Sequence, residues 1–395
     1  MAESRLAVGL ALSGGGIRAM AFHCGVLRWL AETERFEQVT HVSSVSGGTL
    51  LTGLIMASNG WRWPSSQQYL GEIQPRLKSE LTKKSLALTG FFLFLHPKNW
   101  RYLLSRANVL SQAIERCWGI QQRLSELPRL PIWSINGTTA ETGRRFRFKL
   151  DQCGDYELGY AEAGQFKIAD AMAVSAALPG AIGPLAIVSS DYKWMKRPQW
   201  DAPTGSERPV VLPYQCLHIY DGGLYDNLAL EPLMDPGTQS LKNEIDYLLC
   251  SDAGALLKRV TPGASLSPFR ALRILDVAMD QARLLRVRPL ANFLKNNPRA
   301  GAYAQIGANP LEGIRRFEKH NPSAAAELLK QSWLPAEDIT RAVEHPTTLR
   351  PLSEEQFERL ERHGYESVRW NEILFSSRES NSAYRTMGSE SGGGS

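Results

Sequence analysis

Among the 395 residues of this chain, Ser46 stands in the setting a nucleophile needs. It follows Thr40-His41-Val42-Ser43-Ser44-Val45, a β-branched, alternating run that predicts a strand. After it come Gly47-Gly48 and a helical pattern carrying Leu50, Leu51, Leu54 and Ile55. Strand, tight turn and helix in that order make a nucleophile elbow, which lifts a serine hydroxyl clear of a sheet end. Small residues are needed two positions to either side, where backbones crowd together, and Ser44 and Gly48 supply them. The G-x-S-x-G pattern is met except at its first position. A helix opening at Gly47 adds free N–H groups beside the hydroxyl, where a developing oxyanion is stabilised. An ordinary strand–turn–helix connection has the same outline, so the serine needs partners.

Two other glycine-rich turns could provide them. Ser13-Gly14-Gly15-Gly16-Ile17-Arg18-Ala19 joins a predicted strand, Leu6–Ser13, to a predicted helix from about Ala19 to Glu34. Three consecutive glycines expose backbone N–H groups as an anion nest. The spacing is a poor match to a dinucleotide fingerprint, and no Gly-Lys-Ser/Thr of a phosphate loop is present. An oxyanion hole is the better use, because the next strand delivers Ser46 to the same sheet edge. The second turn is Asp221-Gly222-Gly223, at the end of a predicted strand Cys216–Tyr220. It sets a carboxylate where a neighbour can approach closely, although Asp-Gly by itself is a common turn.

The elements that must hold these residues alternate as an α/β protein does. Pro131–Thr138 and Arg144–Leu150 predict a hairpin, Ile168–Leu178 a small-residue helix packed on the elbow helix, and Ile245–Cys250 a buried strand. Ser267-Pro268 opens a long helix. Ser353-Glu354-Glu355-Gln356 is a capping box for a helix that Gly364 is expected to end. Residues 61–128 differ in character. They hold the nearly all-apolar run Leu86–Leu95, followed by Lys98, Trp100, Arg101 and Tyr102. Such a run is too short to span a bilayer; it suits either an interfacial segment or a buried helix capping a lipid cavity. Tyr192–Trp200, with Lys193, Trp194, Lys196 and Arg197, suits a membrane-facing or lid loop, or else a surface insertion.

The bulk properties narrow the class. Hydrophobic residues make up 43% and charged residues 22%, as in an ordinary globular protein. The five cysteines lack metal spacing. The apolar start, Arg5–Leu12, reads as a core strand and not a signal peptide, so the thiols are expected to be free in a reducing compartment. Net charge is +5, yet residues 258–319 carry twelve Lys/Arg against four acids. That basic stretch suits anionic headgroups, nucleic acid or a nucleotide, or is simply a solvated helix face. From Ser376 the chain turns polar, and residues 376–395 read as a disordered tail or an appended linker.

Taken in order, Gly14-Gly15-Gly16-Ile17-Arg18, Val45-Ser46-Gly47-Gly48 and Asp221-Gly222-Gly223 resemble the patatin-like phospholipase family. Ser175-Ala176-Ala177-Leu178-Pro179-Gly180 and Asp226-Asn227 match its habits too. The resemblance covers roughly residues 5–255 and extends more weakly to about 370. It departs at Ala19 and at Ser44, where the family usually has glycine. It implies a three-layer α/β/α fold with a central, mostly parallel sheet, a catalytic domain over 5–255 with a helical cap at 61–128, and C-terminal helices over 256–375.

The function it implies is a serine acyl hydrolase of the phospholipase A or lysophospholipase type, acting on membrane lipids through a Ser46–Asp221 dyad. Gly14, Gly15, Gly16 and Gly47 would form the oxyanion hole, at ~3 kcal/mol per donor. Arg18 would fix the glycine loop or meet a phosphate. An aspartate is a weak base in water, so Asp221 must be partly desolvated. A triad through His218 is the runner-up; i, i+3 on a strand points it away from Asp221. No cofactor, metal or nucleic acid is expected. The expected place is cytoplasmic, peripheral on a membrane, with a small nucleotide or protein activator as a further partner. A patatin-fold scaffold or sensor without turnover is the non-enzymatic alternative.

Overall fold

The computed structural model describes residues 6–180, 182–199, 202–257 and 268–375. Its centre is a twelve-stranded sheet. In chain order the strands are β1 (Val8–Leu12), β2 (Val39–Ser44), β3 (Ile132–Thr139), β4 (Arg145–Lys149), β5 (Gln152–Asp155) and β6 (Gly159–Glu162). Then come β7 (Leu185–Val188), β8 (Trp194–Lys196), β9 (Arg208–Val210), β10 (Cys216–Asp221), β11 (Tyr247–Asp252) and β12 (Gly301–Gln305). The spatial order is β12-β11-β1-β2-β3-β4-β5-β6-β8-β9, with β10 against β3 and β7 against β10. From β12 to β3 all pairs are parallel. Every residue of β1 and β11 is buried, as expected of strands covered on both faces. Beyond β3 the sheet continues antiparallel through short connections.

Helices cover the sheet: α1 (Gly16–Glu32), α2 (Gly47–Ser58), α3 (Leu86–Leu95), α4 (Ala107–Trp118), α5 (Ile168–Ser175), α6 (Pro268–Asn296) and α7 (Glu354–Phe375). The small-residue helix α5 packs on α2 as expected, Met172 filling the space above Gly53. The 61–128 region is helical and carries α3 and α4.

Three expectations need correction. Gly364 does not end its helix: α7 opens on the expected Ser353–Gln356 capping box and runs on to Phe375. A Cβ on Gly364 would lie 1.9 Å from the Phe22 carbonyl oxygen, and one on Gly25 would lie 1.8 Å from that of Glu361. The glycines therefore let α1 and α7 cross backbone to backbone. Second, the segment after 255 is not only helical, since β12 extends the sheet beside β11. Third, Trp194 is no docking residue. It is 4% exposed in β8, and its Nε1–H donates to the Ser189 carbonyl. Trp200, the Ser267 cap and the 376–395 tail lie outside the described residues.

Candidate active site

The three glycine-rich turns converge at one end of the sheet. Ser46, between β2 and α2, has φ 49° and ψ −117°, a strained conformation that the elbow imposes and its surroundings must hold. Its N–H lies 3.0 Å from both the carbonyl and the hydroxyl oxygen of Ser175. The Ser175 hydroxyl donates in turn to the Asn136 carbonyl and meets Thr49 Oγ1 at 2.9 Å. Ser44, at the position where glycine is usual, is buried and bonded to Thr49 Oγ1 and Trp133 Nε1. The replacement thus joins the network that braces the elbow. Gly48 has no room for a side chain, because its Cβ would sit 2.4 Å from the Leu12 carbonyl oxygen.

Asp221 ends β10, opposite Gly137 of β3. Its N–H donates to the Ala177 carbonyl at 3.1 Å, so the short segment Ser175–Ala177 grips the backbones of both Ser46 and Asp221. Residue types in that segment point to close packing and to the family likeness, while these backbone acceptors leave no mark on residue type. One Asp221 oxygen, Oδ1, accepts the Gly223 N–H at 2.7 Å, and the Ser46 side chain lies close enough to favour the ionised carboxylate. Asp221 is 3% exposed, and burial pushes its pKa up to about 7 against the pull of the Gly223 N–H and the nearby Ser46 side chain.

The glycine loop behaves less uniformly than its sequence suggests. The Gly14 N–H is committed to the Asn227 carbonyl at 3.1 Å, so Gly14 is not an oxyanion donor. Its role is spatial: a Cβ there would lie 2.4 Å from Asn227 Oδ1 and 3.1 Å from Ser46 Cβ. Gly15 and Gly16 line the cavity beside Ser46. Gly16 and Gly47 each open a helix, where N–H groups lack intrahelical acceptors. The two loops are fastened together through the Ser13 carbonyl, which accepts from Gly48 N–H at 3.1 Å and lies 3.0 Å from His23 Nε2.

Arg18 faces away from the cavity. Its guanidinium donates to the carbonyls of Val343, His345 and Ala253, which ties the loop to the C-terminal segment. Burial lowers its pKa to about 10. Of the two expected roles, loop support fits these contacts and phosphate recognition does not.

No histidine among the described residues hydrogen-bonds Ser46 or Asp221. His218 is exposed and meets Glu141 Oε1 at 2.7 Å. His23 is enclosed between Ser251 Oγ and the Ser13 carbonyl, and burial lowers its pKa to about 4. The basic stretch is likewise partly internal: Arg283 pairs with Asp252 at 2.6 Å and Arg286 with Asp226 at 3.1 Å.

Above the Ser46–Asp221 pair lies a cavity of about 530 Å³. Leu86, Phe91 and Phe94 of α3, Val109 and Leu110 of α4, and Leu178 and Ile182 give it apolar walls. Polar groups at Ser46 and Asp221 beneath mostly apolar walls suit a reacting ester joined to a hydrocarbon chain.

Comparison with curated protein sequences returns no match. The fold is similar to that of human GIVD cytosolic phospholipase A2, with a TM-score of 0.51 at 15% identity. That match covers 94% of this chain and 60% of the human one, so this chain spans less than two thirds of that protein. VipD from Legionella pneumophila is also matched, at 14% identity and a TM-score of 0.34, over 94% of this chain and 67% of that one. The family model described as patatin-like phospholipase matches residues 10–234, more than half of the sequence. Three-layer fold, ordered glycine turns and family match agree: the chain belongs to the patatin-like phospholipases.

Proposed function

We propose that this protein hydrolyses fatty acyl esters of membrane lipids, as a phospholipase A or lysophospholipase, through Ser46 and Asp221. The observation that carries the reading is Ser46, on its strained elbow, sharing one apolar-walled cavity with the buried carboxyl of Asp221. Ser46 Oγ attacks the ester carbonyl while Asp221 takes its proton; the tetrahedral oxyanion forms against the N–H groups of Gly15, Gly16 and Gly47. Collapse expels the lysolipid or glycerol oxygen, to which Asp221 returns the proton, leaving an acyl-serine. Water, deprotonated by Asp221, then attacks the acyl-serine, and the fatty acid leaves as Ser46 recovers its proton. Burial suits Asp221 to this exchange, because a base near pH 7 both accepts and releases a proton readily.

The site of action we infer is a cytoplasmic membrane face, with the enzyme bound peripherally. The five cysteines are free, which fits a reducing compartment. Among the described residues no helix is long and apolar enough to cross a bilayer. Reaction with a fluorophosphonate tests the nucleophile. The wild-type chain should be labelled once, on Ser46, and Ser46→Ala should remain folded and unlabelled. Persistent labelling of that variant would place the nucleophile elsewhere, and an unlabelled wild type would favour a scaffold without turnover.

A further inference from the structure

Helix α3 is apolar on nearly every side, and its two faces have different fates. Ala87, Gly90, Phe91 and Phe94, at spacing i, i+3, i+4, i+7, line the cavity above Ser46, and Phe91 is at the same time 56% exposed. Leu88, Phe92 and Leu95 form a neighbouring stripe at i, i+4, i+7 and are exposed by 55%, 62% and 54%. The chain just beyond adds Trp100, Leu103 and Leu104, all more than half exposed. Single exposed apolar residues are commonplace, but seven large ones within residues 88–104 call for an occupant.

Charge identifies that occupant. From Leu81 to Ile114 there is no Asp or Glu, while Lys83, Lys84, Lys98, Arg101 and Arg106 are present. Among the described residues Lys98 and Arg101 have no carboxylate partner; the Arg101 guanidinium only covers the Tyr102 ring. A protein partner would need a matching apolar groove. A bilayer with anionic headgroups supplies apolar depth and negative charge together.

We propose that α3 and the turn through Leu104 are the membrane-docking surface, and that the occupant is an anionic lipid bilayer. Outer-stripe side chains enter the acyl boundary while Lys98 and Arg101 stay at headgroup level. Because the inner stripe of the same helix lines the cavity, an acyl chain can pass from the bilayer to Ser46 along α3 without crossing water. The second half of this inference rests on the hydrolase reading above; the docking itself does not.

The test uses the full chain and a triple variant, Leu88→Asp/Phe92→Asp/Leu95→Asp, none of whose positions lines the cavity. Sedimentation with phosphatidylcholine–phosphatidylglycerol vesicles should show binding at least about tenfold weaker for the variant, because apolar burial supplies most of the affinity. Wild type should bind these vesicles more tightly than pure phosphatidylcholine, and Lys98→Glu/Arg101→Glu should remove that preference. Hydrolysis of a short-chain water-soluble ester by the triple variant should stay within about twofold of wild type, since an exposed helix face tolerates charge. Unchanged vesicle binding overturns the proposal. So does a wild-type dimer that the triple variant dissociates, which would make a second copy the occupant. If the wild type cleaves no ester, the hydrolase reading fails while the sedimentation result still decides the docking surface.

Discussion

A carboxylate serves as a base near neutrality only where its charge is poorly solvated, and Asp221 meets that condition by burial. With its pKa lifted from 3.8 to about 7, it is largely protonated in mildly acidic solution and could not then serve as the proposed acceptor of the Ser46 proton. kcat/KM is therefore expected to climb with pH and level off above about 7. For stability the sign is opposite. The folded chain holds a proton that the unfolded chain releases, so Asp221 costs stability progressively as pH rises from about 4 to about 7. Asp221→Asn removes that ionisation. Its melting temperature should exceed that of the wild type above neutrality and converge with it at low pH; parallel profiles would contradict the assigned burial. Ser46 and Asp221 were both legible in the sequence, because glycines mark the turns that project them. The Asn227 carbonyl that claims Gly14, and the Ser175–Ala177 carbonyls that hold the pair, were not. A backbone acceptor leaves no signature in residue type, and these partners lie far away in the chain.

At the level of elements, glycine has two uses that sequence alone does not separate. Gly364 stands where a helix could stop, yet α7 continues because the glycine admits α1 at backbone distance. Gly364→Ala is expected to force the helices apart and lower stability by ~1–3 kcal/mol or more, since the obstacle is the Phe22 carbonyl and not a movable side chain. Chemical denaturation would check this, and an unchanged midpoint would mean that α7 shifts without cost. Trp194 was misread for a related reason. Cations on either side made Tyr192–Trp200 look like a surface loop, but strand alternation turns Trp194 inward and leaves Met195 more exposed. The run Leu86–Leu95 was open to two readings, interfacial segment or cavity cap. α3 lines the cavity with one face and leaves another exposed.

Across the whole molecule, the parallel centre of the sheet was visible as buried strands alternating with helices. Its antiparallel flank and the late β12 were not, since they depend on pairings between distant and short segments. That architecture brings three loops, separated by some two hundred residues of chain, to one sheet end under a shared apolar roof. We propose that this convergence is an acyl-hydrolase site run by Ser46 and Asp221. The most direct measurement is incubation with mixed membrane lipids followed by mass spectrometry of the products. Wild type should release free fatty acid together with a lysolipid or glycerol product. Ser46→Ala and Asp221→Asn should each lose at least ~10³-fold, because the two residues act as one unit. His218→Ala should retain most of its turnover. Fatty acid release that survives Ser46→Ala, or a loss in His218→Ala as severe as that in Asp221→Asn, would contradict the account.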